Sequence, residues 1–198
     1  MYKRQCRDCS AGISIKYFIV ELICALSFVL VFYLFGFSLT ALLFFILSIF
    51  FVIIFFIDLK HFIIPNQLTF PLMAIGFFKT FNPSLNQYFF PNLIDSMIGG
   101  VVGYLIIWII IFVYKKLRKK EGMGLGDAKL LSAIGFWFGW ISIPFILFFS
   151  SFIALAYALP SLLNKSKNMS SSIPYGPYLV LGCVLYLLLL KQIVLYLN

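Results

Sequence analysis

Charged residues are scarce in this chain of 198 residues: they make up 11% of it, and only six of them are acidic. A typical soluble domain is about 25% charged, so the shortage excludes a soluble globular enzyme and a disordered tail. Four cysteines in a chain of this composition also exclude a disulfide-rich secreted module.

Hydrophobic residues make up 63% of the chain and include 25 Phe and 11 Tyr. A soluble chain of this length has no core large enough to bury them, whereas a bilayer has room for them. Because a membrane-spanning helix needs about 20 mostly apolar residues, the sequence predicts an all-α, polytopic helical membrane bundle of about seven transmembrane helices, six being the alternative. The predicted spans are 17–36, 39–57, 66–81, 93–114, two spans within 128–163 that divide near residues 140–144, and 177–196.

The basic residues give a net charge of +9 and predict the orientation of the chain. With the N-terminus in the cytoplasm, every Lys and Arg except Lys79 and Lys191 falls in a cytoplasmic segment. Those segments are 1–16, 58–65, 115–129 and 164–176. This bias is typical of membrane proteins, so no nucleic-acid partner is expected. It also favours seven spans, because six would leave Lys165 and Lys167 outside.

Two carboxylates are predicted to lie at the cytoplasmic membrane boundary. Asp58 ends the second predicted span and Asp127 begins the fifth, so the fold is able to bring them together. Two carboxyl groups at short distance share one proton, because like charges resist joint ionisation. The ionised group then deprotonates a water that attacks a peptide carbonyl, and the protonated group donates to the oxyanion or the leaving amine. This is the chemistry of an aspartic peptidase.

Three glycines shortly precede the second carboxylate, at Gly122, Gly124 and Gly126. Glycine lets a backbone approach a substrate strand closely, so these glycines and Lys129 are predicted to form an active-site loop. The alternative for the glycines is a flexible connector. Lys129 either balances the carboxylate charge or extends its ammonium group towards lipid phosphates.

The other ionisable residues have structural interpretations beside functional ones. Glu21 lies about one turn into the first span, where it extends towards water, pairs with Lys16 or lines a site. Glu121 follows a basic run and is interpreted as a solvated loop charge. Asp95 is predicted to be structural, because the helix dipole stabilises a carboxylate in the first turn of a helix. His61 is interpreted as interfacial, since no Ser or Cys nucleophile is paired with it.

Four segments of the chain resemble the type IV prepilin (leader) peptidases, which are membrane aspartic proteases with a GxGD motif. The segments are Cys6-Arg-Asp-Cys9 with Val20-Glu-Leu, Asp58-Leu-Lys with Ile64-Pro-Asn, Gly122-Met-Gly-Leu-Gly-Asp, and Ile173-Pro-Tyr-Gly-Pro-Tyr. The resemblance implies that Asp58 and Asp127 are the catalytic pair and that the substrate is a prepilin or pseudopilin. It implies cleavage after a glycine that ends a short basic leader, at the cytoplasmic face of the bacterial inner membrane.

The resemblance also implies a domain organisation. Residues 1–16 correspond to the remnant of a Cys-containing cytoplasmic domain, and residues 17–198 to the transmembrane peptidase domain. The chain is then a fragment, a naturally short form or the product of a later start codon. Longer members of the family have two CxxC pairs, whereas this chain has only the pair Cys6 and Cys9. Because zinc usually takes four ligands, no metal and no cofactor are expected. N-methylation is not assigned, because the part of the family linked to it is cut short here.

Recognition of the leader needs a contact other than general charge attraction, because the leader and the cytoplasmic face of this protein are both basic. Glu21 or Glu121 is the hypothesised contact for a Lys or Arg of the leader. Two other function classes remain open: a polytopic transporter or channel, and a non-catalytic membrane assembly protein. A transporter is expected to place charges at mid-bilayer and to show repeats, and the sequence shows neither. The sequence does not predict the oligomeric state.

Overall fold

The computed structural model describes residues 15–82, 85, 89–118, 124–163 and 174–197, and the regular structure of this part is entirely helical. Each predicted span corresponds to a helix, which confirms the all-helical bundle. The helices are α1 (Ile15–Phe35), α2 (Leu39–His61), α3 (Asn66–Phe78), α4 (Leu93–Arg118), α5 (Leu125–Phe138), α6 (Ser142–Leu163) and α7 (Gly176–Leu197), with a 3-10 turn at Lys79–Phe81.

Four helices of the described part are long and apolar enough to cross a bilayer, and the protein is therefore a multi-pass membrane protein. Their spanning segments are Tyr17–Phe35, Leu39–His61, Leu93–Leu117 and Ser142–Leu159. By contrast, α3 has 13 residues and α5 has 14. At 1.5 Å per residue each is about 20 Å long, against a hydrocarbon core of about 30 Å.

The chain divides into two compact units, Met1–Val52 and Ile53–Asn198, and the boundary falls within α2. In the first unit, aromatic rings join α1 to α2. The rings of Phe28 and Phe45 meet edge to face with centroids 5.1 Å apart, and those of Phe35 and Phe44 stack at 4.8 Å. These are the favourable geometries for aromatic pairs, and they hold α1 against the beginning of α2.

The second unit is built around α5, most of whose residues are buried. Glycines let α4 and α5 approach closely: a Cβ atom on Gly99 or Gly135 would overlap the backbone of the other glycine. The Ser132 hydroxyl donates a hydrogen bond of 2.7 Å to the carbonyl oxygen of Gly100. Small residues at the contact and side-chain hydrogen bonds across it are typical of helix packing in membranes. The position of α5 is therefore determined largely by its contact with α4.

Helix α3 is attached to α5 through Trp137, whose side chain is fully buried. Its indole N–H donates to the carbonyl oxygen of Leu72 at 2.8 Å. A Cβ atom on Gly76 would lie 2.6 Å from the Trp137 ring, so only glycine leaves room for the indole there. A buried indole N–H needs a partner, and this hydrogen bond fixes α3 and α5 relative to each other.

Two chain breaks explain how the helices are divided. The stretch 128–163 divides at Gly139, whose φ of 77° is in the left-handed region, close to the predicted break. Helix α2 continues four residues beyond its predicted end, to His61, and stops at Phe62 with φ of 57°. The Phe62 N–H still donates to the Asp58 carbonyl oxygen at 2.9 Å. Asp58 thus lies in the last turn of α2 rather than at its end.

Candidate active site

The two predicted carboxylates lie in the second unit, at the end of α2 and the start of α5. Asp58 is 4% exposed and Asp127 is 7% exposed. They are close enough for the charge of Asp58 to act on Asp127. Charged groups are almost never buried to this extent unless they are paired or hydrogen-bonded. The structure therefore brings the two predicted residues together in a desolvated environment.

Ile64 links the helix ends that carry this site. A Cβ atom on Gly126 would lie 3.0 Å from the Ile64 Cβ, and a Cβ atom on Gly176 would lie 2.9 Å from the Ile64 Cδ1. Ile64 is buried and belongs to the non-helical segment between α2 and α3. The starts of α5 and α7 therefore both pack on this segment. The close approach that Gly126 permits in this structure is to Ile64 of the same chain.

Gly176, the first residue of α7, contacts the first carboxylate directly. Its backbone N–H donates a hydrogen bond of 2.9 Å to Oδ2 of Asp58. The first N–H groups of a helix have no partner within the helix, and they favour an anionic acceptor because of the helix dipole. We did not predict this contact from the sequence. Its only sequence signal is the Pro-Tyr-Gly-Pro segment within the fourth stretch that resembles the peptidases.

Tyr175, the preceding residue, is close enough to the second carboxylate to be influenced by its charge. Its hydroxyl group is 3.1 Å from the Ser151 hydroxyl. Burial raises the pKa of Tyr175, the hydrogen bond to Ser151 lowers it, and the negative charge of Asp127 raises it again; the net direction is upward. The phenol is thus protonated at neutral pH and is a potential hydrogen-bond donor beside the site. Sequence reasoning did not single out Tyr175 or Ser151.

The predicted active-site loop is partly helical. Gly124 is exposed and precedes α5, and the Asp127 N–H donates to its carbonyl oxygen at 3.2 Å. Gly126 and Lys129 lie within α5 itself. The Lys129 ammonium group donates to Oδ1 of Asn66 at 2.7 Å and lies 5.4 Å from the centre of the Phe70 ring. Residues two apart on a helix do not face each other, so Lys129 connects α5 to α3 and points away from Asp127.

Several other predicted residues belong to the first unit or lie outside the described part of the chain. Glu21 is exposed on α1, in the first unit. Gly122, Glu121 and the pair Cys6 and Cys9 lie outside the described residues. Within the described ranges, no group of three or more His, Cys, Asp or Glu side chains is arranged to hold a metal ion.

The surroundings of Asp95 and His61 agree with the structural roles suggested by the sequence, a first-turn carboxylate and an interfacial residue. The Asp95 N–H donates to Oδ1 of Asn92 at 2.8 Å, which caps the start of α4. The Oδ1 atom of Asp95 accepts a hydrogen bond of 3.1 Å from the indole N–H of Trp140. Trp140 follows the end of α5 and Asp127 stands at its start, so Asp95 is at the opposite end of the unit from the paired carboxylates. His61 is exposed at the end of α2.

Two models of known protein families match this chain. Residues 45–159, which contain both aspartates, match the type IV leader peptidase family, and residues 1–35 match the bacterial peptidase A24 N-terminal domain. The chain belongs to the type IV leader peptidase family. This membership confirms the resemblance inferred from the four sequence segments.

Individual members of the family are similar along most of this chain. The prepilin leader peptidase/N-methyltransferase of Aeromonas salmonicida is 39% identical over 184 residues, which is 91% of this chain and 60% of that protein. The proteins of the same name from Stutzerimonas stutzeri and Pseudomonas aeruginosa are 35% and 33% identical, each over 90% of this chain and 60% of the relative. The chain therefore spans about 60% of the length of these curated relatives. No solved structure matches it.

Proposed function

We propose that this protein is a membrane aspartic endopeptidase that removes the basic leader from prepilins or pseudopilins, cutting after a glycine. The observation that supports this most directly is the pair of buried carboxylates, Asp58 and Asp127, that lie within range of each other's charge. They lie in a chain that belongs to the type IV leader peptidase family. Relatives that match most of this chain are named prepilin leader peptidases.

The proposed chemistry follows from one proton shared by the two carboxyl groups. The ionised group accepts a proton from a water molecule as the water oxygen attacks the carbonyl carbon of the glycine that ends the leader. The protonated group donates its proton to the carbonyl oxygen, which forms a tetrahedral diol. Collapse of the diol breaks the C–N bond: the new amine takes the proton that came from water, and one diol hydroxyl returns a proton to the carboxylate that had donated it. The pair returns to its starting state, and the proton belongs to both residues throughout.

The location of the pair suits a substrate that crosses the membrane boundary. Non-helical backbone is tolerated at membrane depth only where protein buries it or water reaches it. The segment 62–65 between α2 and α3 is such a break, and it follows the last turn of α2, in which Asp58 lies. We place this break at the cytoplasmic face of the bacterial inner membrane because the basic residues cluster there. A cytoplasmic leader and a membrane-embedded pilin helix would then meet at the site.

Recognition of the basic leader is assigned, as part of this proposal, to Glu21 or Glu121. Replacing both residues with Gln is expected to raise KM for a prepilin, because a Lys or Arg of the leader loses a carboxylate partner, while kcat changes little. Cleavage kinetics that match those of the wild type would show that neither carboxylate binds the leader.

The decisive experiment is a cleavage assay on purified protein in lipid nanodiscs with a prepilin as substrate. The wild-type protein is expected to release the leader, and Asp58→Asn and Asp127→Asn are each expected to abolish release. Asn has nearly the same shape as Asp but takes no part in proton transfer. Asp95→Asn is the matched control, because Asp95 lies at the other end of the unit and keeps an oxygen for Trp140.

Two results would contradict the proposal. One is cleavage at the wild-type rate by either aspartate variant. The other is a folded wild-type protein that fails to cut any prepilin but moves an ion or solute across the nanodisc or vesicle bilayer, which would favour the transporter. Circular dichroism and thermal unfolding of each variant report whether it is folded.

A further inference from the structure

The first turn of α7 provides a contact that the proposed chemistry has not yet used. Gly176 donates its backbone N–H to Oδ2 of Asp58 across 118 residues of sequence, and the bond is buried. Gly176 stands between Tyr175 and Pro177, and a proline in the first turn pre-organises the start of a helix. The direction of this N–H is thus determined by the backbone and not by a mobile side chain.

We propose that Gly176 is a positioning residue of the catalytic pair: its N–H holds Oδ2 of Asp58 and leaves Oδ1 to exchange the proton with water. This inference rests on the proposed peptidase function. A hydrogen bond from an N–H to an ionised carboxylate is stronger than one between neutral groups. It restricts rotation of the carboxyl group, and it supports the charged form that accepts the proton from water.

The requirement for glycine at this position follows from two distances. A Cβ atom on residue 176 would lie 2.7 Å from Oδ2 of Asp58 and 2.9 Å from Cδ1 of Ile64. Real Cβ atoms essentially never come so close to other atoms, so any side chain would displace the carboxylate, Ile64 or the start of α7. The absence of a side chain at Gly176 is therefore what allows the N–H to reach Asp58.

The first test compares two alanine variants in α7. Gly176→Ala is expected to lower kcat about 10-fold to 100-fold with little change in KM, as is typical when the partner that orients a reactive group is lost. Gly182→Ala is the matched control, because a Cβ atom there would lie 2.8 Å from the Ile146 carbonyl oxygen and also meet Ser150. Both variants are expected to lose thermal stability, and only Gly176→Ala is expected to lose kcat.

A second variant separates displacement of Asp58 from displacement of Ile64. Ile64→Val removes the Cδ1 atom, which would lie 2.9 Å from the added methyl group. In the double variant Gly176→Ala with Ile64→Val, kcat is expected to stay low, because the methyl group still meets Oδ2 of Asp58. If kcat recovers to the value of Ile64→Val alone, the loss of kcat in Gly176→Ala comes from disturbed packing of Ile64 and not from displacement of the Asp58 carboxylate.

The third variant removes the hydrogen bond without adding an atom to the side chain. Cell-free translation with a tRNA carrying glycolic acid replaces the amide N–H at position 176 with an ester oxygen. In addition to a lower kcat, the acidic limb of the pH–rate profile is expected to move to higher pH, because the ionised carboxylate loses its donor. If Gly176→Ala does not fold, this ester variant decides the question.

The outcomes distinguish this inference from the proposed function. If the wild type cuts, Asp58→Asn does not, and the ester variant has the kcat and pH profile of the wild type, then Gly176 does not position Asp58, although the peptidase assignment stands. If the wild type does not cut, or Asp58→Asn still cuts, the peptidase assignment fails and the positioning role fails with it.

Discussion

At the scale of single residues, the two glycines nearest Asp127 have different surroundings. A Cβ atom on Gly126 would lie 3.0 Å from the Cβ and 3.4 Å from the backbone N of Ile64. Among the described residues, a Cβ atom on Gly124 would meet only the Gly126 N, at 3.8 Å, which is an ordinary van der Waals distance. The GxGD pattern thus combines one glycine needed for close packing with one where the described residues leave room for a methyl group.

We expect Gly126→Ala to reduce prepilin cleavage and to destabilise the protein by about 1–3 kcal/mol, which is typical of overpacking. The added methyl group pushes Ile64 or the start of α5 aside, and Asp127 is the next residue. Gly124→Ala is the control and is expected to stay close to the wild type. Chemical denaturation and the cleavage assay measure the two effects. Equal behaviour of the two variants would contradict the proposed difference in packing.

At the scale of helices, α5 determines where the second carboxylate lies. Its glycine contact with α4 leaves no space for a methyl group, because the backbone of Gly99 is what a side chain on Gly135 would meet. A backbone atom cannot change rotamer to make room, so the helices themselves would have to separate. Any such separation shifts α5 and, with it, Asp127.

We expect Gly135→Ala to lower stability by about 3 kcal/mol, towards the upper end of the range for overpacking, and to reduce cleavage as well. Val101→Ala, on the exposed side of α4, is the control. Thermal unfolding in nanodiscs, together with the cleavage assay, measures both variants. A Gly135→Ala protein as stable as the control would show that α4 and α5 are not in close contact at this point.

At the scale of the whole molecule, the proposed orientation leaves two basic residues, Lys79 and Lys191, outside the cytoplasmic segments. Lys79 is 6% exposed. Its ammonium group lies 4.5 Å from the centre of the Phe90 ring and 5.9 Å from that of Trp137. Aromatic faces attract cations at such distances, so the Phe90 and Trp137 rings are favourable partners for the ammonium group of Lys79.

The proposed orientation predicts opposite labelling at two exposed positions, in a background without the native cysteines. Asn82→Cys precedes α4 and is expected to react with a membrane-impermeant maleimide in intact spheroplasts. Lys115→Cys lies near the end of α4 and is expected to react only after permeabilisation. The opposite pattern would place the carboxylate pair outside the cytoplasm, where a cytoplasmic leader would not reach it.

The sequence alone determined the helices and the identity of the two acids. Long apolar runs specify membrane helices because the backbone N–H and C=O groups inside a bilayer need hydrogen-bond partners within the protein. Gly139, whose φ is in the left-handed region, divides the long run 128–163 close to the predicted break. Asp58 and Asp127 stood out because ionisable groups near the membrane are costly and few. The end of α2 was less predictable, since Phe62 adopts a conformation that bulky residues rarely take.

Only the tertiary structure decided what surrounds those acids. The hydrogen bond from Gly176 to Asp58 joins residues far apart in sequence, and the residue types around Gly176 do not indicate which acceptor its N–H reaches. Lys129 was expected either to balance the carboxylate charge or to extend towards lipid phosphates; in the structure it donates to Asn66, because its direction depends on the rotation of α5. Sequence patterns record which residues are apolar or ionisable, whereas the direction of a donor depends on how packed helices are rotated and where each begins.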